Sequence, residues 1–535
     1  MPTPAVLKSP QVESRLKRGF DRMADVLAVT LGPTQGLVLS QANTGGEPEL
    51  LTDAATIARR LMQLPDRAED VGAMLLRNLV WRMHLKAGDG CATAAVLAQA
   101  ILTQAYRYKA AGANAMLLQR GLKKAATAAI EALQAMAQPV EDEDELSQVA
   151  QTVTGDPELS LILGEIFAIL GADGYVTIED YVAPYLEREY QEGGRFTGRL
   201  ASPYLISEPV TRRGILADCP VVLYPGQVSR VEDVRPLLEL AARQPSKQIA
   251  LLAHDIKDPA LTVLVANHQQ KKVKVAAVEL RRPAGKRRTD FEDLAALTGA
   301  AIIDPELGRG LQNITPADLG AAHRVEAGPE NVVVIGSPAQ AAAIRTQIND
   351  LQARLTGLEP DDDSADELRF RMARLSGQVA TLKLGAYSKA ERNLIRQQAL
   401  KGLRSLPLAL REGVAPGGGA AYLNCIPAVN RLGLTGEEGW GADILAQALE
   451  APFRRIVANV GRQSPAVLLA QVRQQGAGLG YDARRDRLVA LEEAGILDPV
   501  GVLRLALETA VSGAAMALTT EVMVLKRNPQ QSMEP

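Results

Sequence analysis

The hydrophobic pattern of this 535-residue chain changes period twice, and that limits the folds open to it. From Val12 to about Gln138 apolar residues recur at helical spacing: Met23, Val26, Leu27 and Val29, then Met74, Leu75, Leu79 and Met83, then 96–102, then Leu117, Leu118 and Leu122. Past Pro139 and the acidic run 141–145 the pattern shifts. Short β-rich runs at 176–180, 220–224, 248–253, 273–278, 300–304 and 331–336 appear, with helical stretches near 231–243, 259–269 and 290–298. Strands spaced by helix-length crossovers predict a mostly parallel sheet with helices on its faces, while the stretch following 176–180 to Gly198 reads as polar and glycine-rich. Two amphipathic helices follow at about 338–356 and 366–374, joined by the charged turn 359–363 into an antiparallel hairpin. After Gly377, alanine- and leucine-rich helices return, interrupted at 413–419 and 495–499. A helical start, an α/β middle and a helical finish predict one domain inserted into another.

A chain this long outgrows a single core. Aromatic residues make up only 4%, so the cores are aliphatic. The formal net charge of −3 argues against a nucleic-acid partner, and the basic run 281–288 reads as a solvated loop. Cys91, Cys219 and Cys425 lack metal-ligand spacing and, in odd number, make no disulfide framework, which fits a reducing compartment. The first residues contain no apolar signal core and no run of about 18 apolar residues stands out, so a soluble cytoplasmic protein with no membrane partner is expected.

Four glycine-bearing stretches in the helical arms carry chemistry. In 86–101 Asp89 sits between Gly88 and Gly90 at the start of a helical run. The glycines let the backbone approach a ligand closely, the amides of Cys91, Ala92 and Thr93 are free at a helix N-terminus to meet an anion, and Asp89 can hold a divalent cation. An ordinary capped helix start accounts for the same residues. Thr30-Leu31-Gly32-Pro33 ends a helix with exposed backbone groups, Asp53 precedes another helix as a candidate cap, and Gly417-Gly418-Gly419 opens a third, with Asp498 downstream as an acceptor. Each of these alone also reads as plain helix punctuation.

Together, in this order, they resemble the group I chaperonins, the GroEL-like family. The likeness is carried by 29–33, 87–90 with 94–101, 120–125, 202–204, 274–278, 293–299, 411–413 with 417–419, and 495–499. The resemblance implies an α/β multidomain fold with a helical equatorial domain split between N- and C-terminal parts (1–136 and 412–535), a small intermediate hinge domain (137–191 and 378–411) and an inserted α/β apical domain (192–377). It implies ATP and Mg2+ as cofactors, with K+ as a candidate second ion. In the family Thr30, Leu31, Gly32, Pro33, Asp89, Gly90, Cys91, Ala92 and Thr93 match the phosphate loops, Asp89 the magnesium ligand, Asp53 a catalytic carboxylate, and Gly418, Asp482, Ala483 and Asp498 the ribose and base contacts. Departures stand at Cys91 and Ala92, where the family has threonines, and at Asp482, where it has asparagine. Tyr204, Leu205, Leu238, Leu261, Val265 and Ala266 match an apolar groove that grips unfolded polypeptides or a co-chaperonin loop.

The largest departure concerns hydrolysis. Counting back from Gly417 puts Lys401 where the family has the aspartate that orients the attacking water, and no acidic residue occurs from Arg392 to Arg411. The resemblance thus implies a chaperone subunit of a ring, homo-oligomeric or mixed with a paralogue, that binds ATP with impaired turnover. The alternative is a passive holdase or scaffold without ATP-driven cycling.

Overall fold

A computed structural model describes residues 5–33, 36–41, 49–191, 193–208, 212–282, 284–358, 362, 364–476 and 478–525. The chain divides into two compact units, one comprising Met1–Ala172, Asp180–Glu187 and Lys383–Pro535, the other Asp173–Glu179 and Arg188–Leu382.

In the first unit the two helical arms share one core. Phe20, Met83, Leu97 and Leu122 from the N-terminal arm lie in the same buried cluster as Tyr422, Leu445 and Leu507 from the C-terminal arm. Helix Ala115–Ala135 packs on helix Gly436–Ala448, and helix Cys91–Ala110 on helix Val500–Leu518. The first of these contacts is backbone to backbone. A Cβ on Gly121 would lie 2.0 Å from the Glu438 carbonyl oxygen, and one on Gly441 would lie 2.4 Å from that of Leu118. Strand Ala5–Lys8 pairs antiparallel with Val522–Leu525, joining the described chain ends. Helix starts are capped by side chains of Asp66, Asn114, Asp142 and Asp156, each contributing about 1 kcal/mol. One correction to the sequence reading arises here: Val500–Leu518 is long and apolar enough to cross a membrane, but most of it is buried against protein.

The second unit holds a closed six-stranded barrel rather than the predicted mostly parallel sheet. Its strands run Gly320–Ala327, Asn331–Gly336, Gly194–Leu200, Lys274–Leu280, Gln248–Ile256 and Gly214–Val228 in order around the barrel. Only Gly214–Val228 with Gln248–Ile256, and Gln248–Ile256 with Lys274–Leu280, pair in parallel. The other four pairings are antiparallel. The polar stretch around Gly194 and Gly198 is itself a strand, glycine being required where a Cβ would meet the Leu297 side chain at 2.7 Å and the Glu279 carbonyl at 2.7 Å. Residues 300–304 form no strand, only a single bridge from Ile302 to Leu223. The 220–224 run is apolar throughout because both its faces are buried, Val221 and Leu223 in one cluster and Val222 and Tyr224 in another. Most of the charged turn 359–363 lies outside the described residues, between helices Ala341–Thr356 and Ser364–Ser376.

Helix Ser364–Ser376 is pinned to helix Ala284–Thr298 by a buried ionic cluster. Arg374 Nη1 donates to Asp290 Oδ1 at 2.8 Å and Arg371 Nη2 to Asp293 Oδ1 at 2.7 Å, while Arg374 also pairs with Asp293. All four side chains are at most 2% exposed, and the Arg374 guanidinium lies 4.2 Å from the Phe196 ring centroid. Removing Asp293 leaves two buried guanidinium groups short of a partner. We expect Asp293→Ala to cost the second unit about 3–5 kcal/mol, read as faster amide exchange in peptides from these two helices.

Candidate functional site

Secondary-structure ends from both arms meet around a cavity of about 430 Å³ in the first unit. Thr30, Leu31, Gly32 and Pro33 line it, as do Asp53, Asp89, Gly90, Cys91, Ala92, Thr93, Gly418, Asp482, Ala483 and Asp498. All fourteen sequence-derived nucleotide-site positions are therefore in one place.

Each loop is held there by identifiable contacts. Asn459 Nδ2 donates to the carbonyls of Ala28 and Leu31 at 2.9 and 2.8 Å, tying the Thr30 loop to helix Ala451–Val460 of the other arm. The Thr30 hydroxyl donates back to the Leu27 carbonyl at 2.7 Å. Gly90, at φ 78°, begins helix Cys91–Ala110 with no side-chain cap, leaving the first-turn amides to a ligand. A Cβ there would lie 2.7 Å from Met83 and 2.8 Å from Val502, so the turn admits glycine alone. The second glycine loop is built the same way, with Gly419 at φ 83° opening helix Ala420–Asn430 uncapped. Strand Val414–Pro416 pairs with Leu497–Pro499, setting Asp498 opposite Ala415 and beside Gly417. Two helix N-termini thus aim their positive dipole ends into one cavity, an arrangement suited to phosphate.

Carboxylates supply the rest. Burial raises the Asp89 carboxyl, an effect opposed by the Lys401 charge and the Gly90 backbone. Asp498 is pushed up to about 7 by burial and by Asp89 nearby, against a hydrogen bond from the Gly418 backbone. Asp53 caps helix Ala54–Arg60, its Oδ2 accepting from Thr56 N at 2.8 Å and Thr56 Oγ1 at 2.9 Å. Its Oδ1 lies 3.4 Å from Lys401 Nζ. Burial works against the Asp53 charge, but Lys401 and Thr56 outweigh it and hold the carboxyl below its usual range. Both of its oxygens are already engaged.

The cavity fits a magnesium-nucleotide by its donor set. No group of three or more metal-ligating side chains occurs among the described residues, but a single carboxylate such as Asp89 suffices for Mg2+ when phosphate oxygens complete its shell. Gln151 also lines the cavity, and its Nε2 is buried without a hydrogen-bond partner among the described residues.

Several side chains differ from the expected roles. The Cys91 thiol turns into the core, donating to the Val80 carbonyl at 3.5 Å, and burial pushes its pKa well up, so only its backbone can serve a phosphate. Asp482 Oδ1 accepts from the amides of Arg484 and Arg485 at 3.0 and 3.1 Å and shapes the turn there. Gln151, Gln397, Gln398, Arg484 and Arg485 were missed as lining residues, although Gln397 and Gln398 fall one helical turn before Lys401, a spacing readable in the sequence.

In the second unit Leu205 and Leu238 belong to one cluster against which Leu261 and Val265 pack, helix Ala260–Gln269 touching both helix Val231–Arg243 and the turn Pro203–Leu205. Leu205 and Leu238 are core residues, 1% and 8% exposed, packed with Val222, Leu237 and Leu264. Tyr204, at 68% exposure, lines with Leu205 a separate hollow of about 500 Å³ that also takes in His268 and Val275. Leu261, Val265 and Ala266 are half-buried along helix Ala260–Gln269. Leu238 lies one residue beyond Leu237 on the buried side of helix Val231–Arg243.

Asp498 gives the site a pH signature. The folded protein keeps the Asp498 proton to about pH 7, whereas the unfolded chain releases it near pH 4. Stability therefore falls as pH rises between those values. Asp498→Asn should remove this slope, gaining roughly 2–4 kcal/mol over wild type at pH 8 relative to pH 4, at about 1.4 kcal/mol per pH unit, as measured by urea denaturation.

Comparison with known proteins bears on the fold and the family. The chaperonin gp146 of bacteriophage EL 2 (Pseudomonas aeruginosa), crystallised in presence of ATP-BeFx, superposes with a TM-score of 0.65 in crystal form I and 0.61 in form II. Sequence identity is 16%, and each comparison covers 98% of this chain and 99% of that one, so the likeness establishes the fold. A sequence profile of the TCP-1/cpn60 chaperonin family matches residues 23–165 and 240–528, and the chain belongs to that family.

Proposed function

We propose that this chain is an ATP-binding chaperonin subunit that captures unfolded polypeptides in a ring assembly and hydrolyses ATP slowly or not at all. The convergence of two uncapped helix N-termini with Asp89 and Asp498 in one cavity carries the reading. The first-turn amides of the helices opening at Gly90 and Gly419 bind phosphates, Asp89 holds the divalent ion, Asp498 accepts from ribose hydroxyls, and Asp482 and Ala483 border the base. Bound Mg2+ would neutralise phosphate charge and fix the triphosphate's orientation. In domain terms, 1–136 and 412–535 form the nucleotide-binding body, 137–191 and 378–411 the hinge, and 192–377 the polypeptide-binding part. Tyr204, Leu261, Val265 and Ala266 are its accessible apolar contacts.

Slow turnover rests on Lys401 and Asp53. Asp53 is turned to Thr56 and Lys401, and Lys401 brings a cation where water activation calls for a base. Loss of such a group lowers rates by about 10²-fold to 10⁴-fold. Purified protein should bind ATP in the presence of Mg2+ but release phosphate at least 10²-fold more slowly than a hydrolysing chaperonin assayed alongside. Lys401→Asp should raise phosphate release at least tenfold. Equal wild-type rates would defeat the reading.

The same ion pair favours a second reading, a holdase that binds clients without ATP-driven cycling. Suppression of aggregation of a denatured enzyme, unaltered by ATP and without recovery of its activity, is its signature. The chaperonin reading expects activity to return when ATP is added.

A further inference from the structure

Lys401 stands on helix Lys389–Glu412, whose 401–405 stretch is fastened to Asp53 and to the end of the helix that precedes Asp89. Its Nζ faces Asp53 Oδ1 at 3.4 Å, Arg404 Nη1 donates to the His84 carbonyl at 2.9 Å, and Ser405 Oγ donates to the Ala87 carbonyl at 2.8 Å. The packing is close enough that a Cβ on Gly88 would lie 2.7 Å from Arg404 Cβ and 3.1 Å from the Lys401 carbonyl. The ammonium is therefore held in position by the helix that carries it. Its side chain is 16% exposed and that of Asp53 5%.

The charges around it are unbalanced without it. Asp53 and Asp89 both act on Lys401, and a triphosphate remains anionic after one divalent ion has bound. A cavity lined by Asp53, Asp89, Asp482 and Asp498 that admits such a ligand needs a further positive charge beside the phosphates. Arg484 and Arg485 also line the cavity, but Arg485 is largely exposed and leans toward Asp482 at 3.7 Å. A lysine ammonium is a compact point charge with three donors, comparable to a small monovalent ion in what it offers to oxygen ligands.

Resting on the nucleotide-binding reading above, we propose that Lys401 is a built-in monovalent cation, so that this site holds Mg2+-nucleotide without needing K+ or Na+ from solution. Binding of a fluorescent ATP analogue with Mg2+ is measured on the full chain in potassium, sodium and N-methylglucamine chloride at equal ionic strength. Wild-type affinity is expected to stay within about twofold across the three salts. Lys401→Ala, which removes the charge and opens space, should bind at least tenfold more weakly in N-methylglucamine and regain affinity in potassium. Lys401→Met, which removes the charge but fills the space, should be weak in all three. Wild-type binding that follows potassium, or Lys401→Ala binding indifferent to the salt, overturns the inference while leaving the nucleotide site intact. Absence of wild-type binding in every salt overturns both.

Discussion

The contact between Gly121 and Gly441 brings two backbones together with no side chain between them, and it joins the two arms whose other segments line the cavity. These residues lie in helices from opposite ends of the chain, on either side of an inserted unit. Glycine at both positions lets the helices pack at backbone distance, and the shared aliphatic core fills in around them. Packing this tight leaves little freedom for sliding, because carbonyl oxygens rather than flexible side chains are in contact. Loops at the ends of those arms then have fixed positions. Asn459 reaching across to the Ala28 and Leu31 carbonyls is the same clasp at its far side.

That rigidity is what makes a cavity of concentrated negative charge tolerable. Asp53, Asp89 and Asp498 line one cavity of about 430 Å³. The resulting repulsion is answered in two ways: Asp498 keeps its proton to about pH 7, and Asp53 takes Lys401 as a partner. Both responses are local electrostatics under partial desolvation.

Much of this was legible in the sequence because it is written in period and in glycine. Helical spacing marked the arms, and the glycines of 88–90 and 417–419 marked the turns that bring Gly90, Gly418 and Gly419 to the cavity. What could not be read depends on partners distant in the chain. The barrel pairs Asn331–Gly336 with Gly194–Leu200 in antiparallel fashion, a choice made by closure of the sheet and not by either segment's pattern. Leu205 and Leu238 keep apolar character, which is equally what a core demands, so alternation could not separate surface from interior. The Cys91 side chain turns inward because the Val80 carbonyl lies behind it, a neighbour supplied by another helix.

A backbone cradle and a side-chain device tolerate change differently. First-turn amides meet an anion whatever side chains they carry, so a cysteine and an alanine at positions 91 and 92 leave the backbone surface of the turn in place. Two hydroxyl contacts are missing relative to the threonines of the GroEL-like pattern, each worth about 0.5–1.5 kcal/mol, which is small beside several amides and two helix dipoles. Orienting a water molecule has no such redundancy, since it needs one free acceptor at one place. When position 401 is a lysine, the change is not merely a missing carboxylate: its ammonium also engages the remaining candidate, Asp53. On the proposed reading, a single substitution on helix Lys389–Glu412 therefore separates holding a nucleotide from hydrolysing it, because the first property belongs to the chain's backbone and the second to two side chains that now neutralise each other.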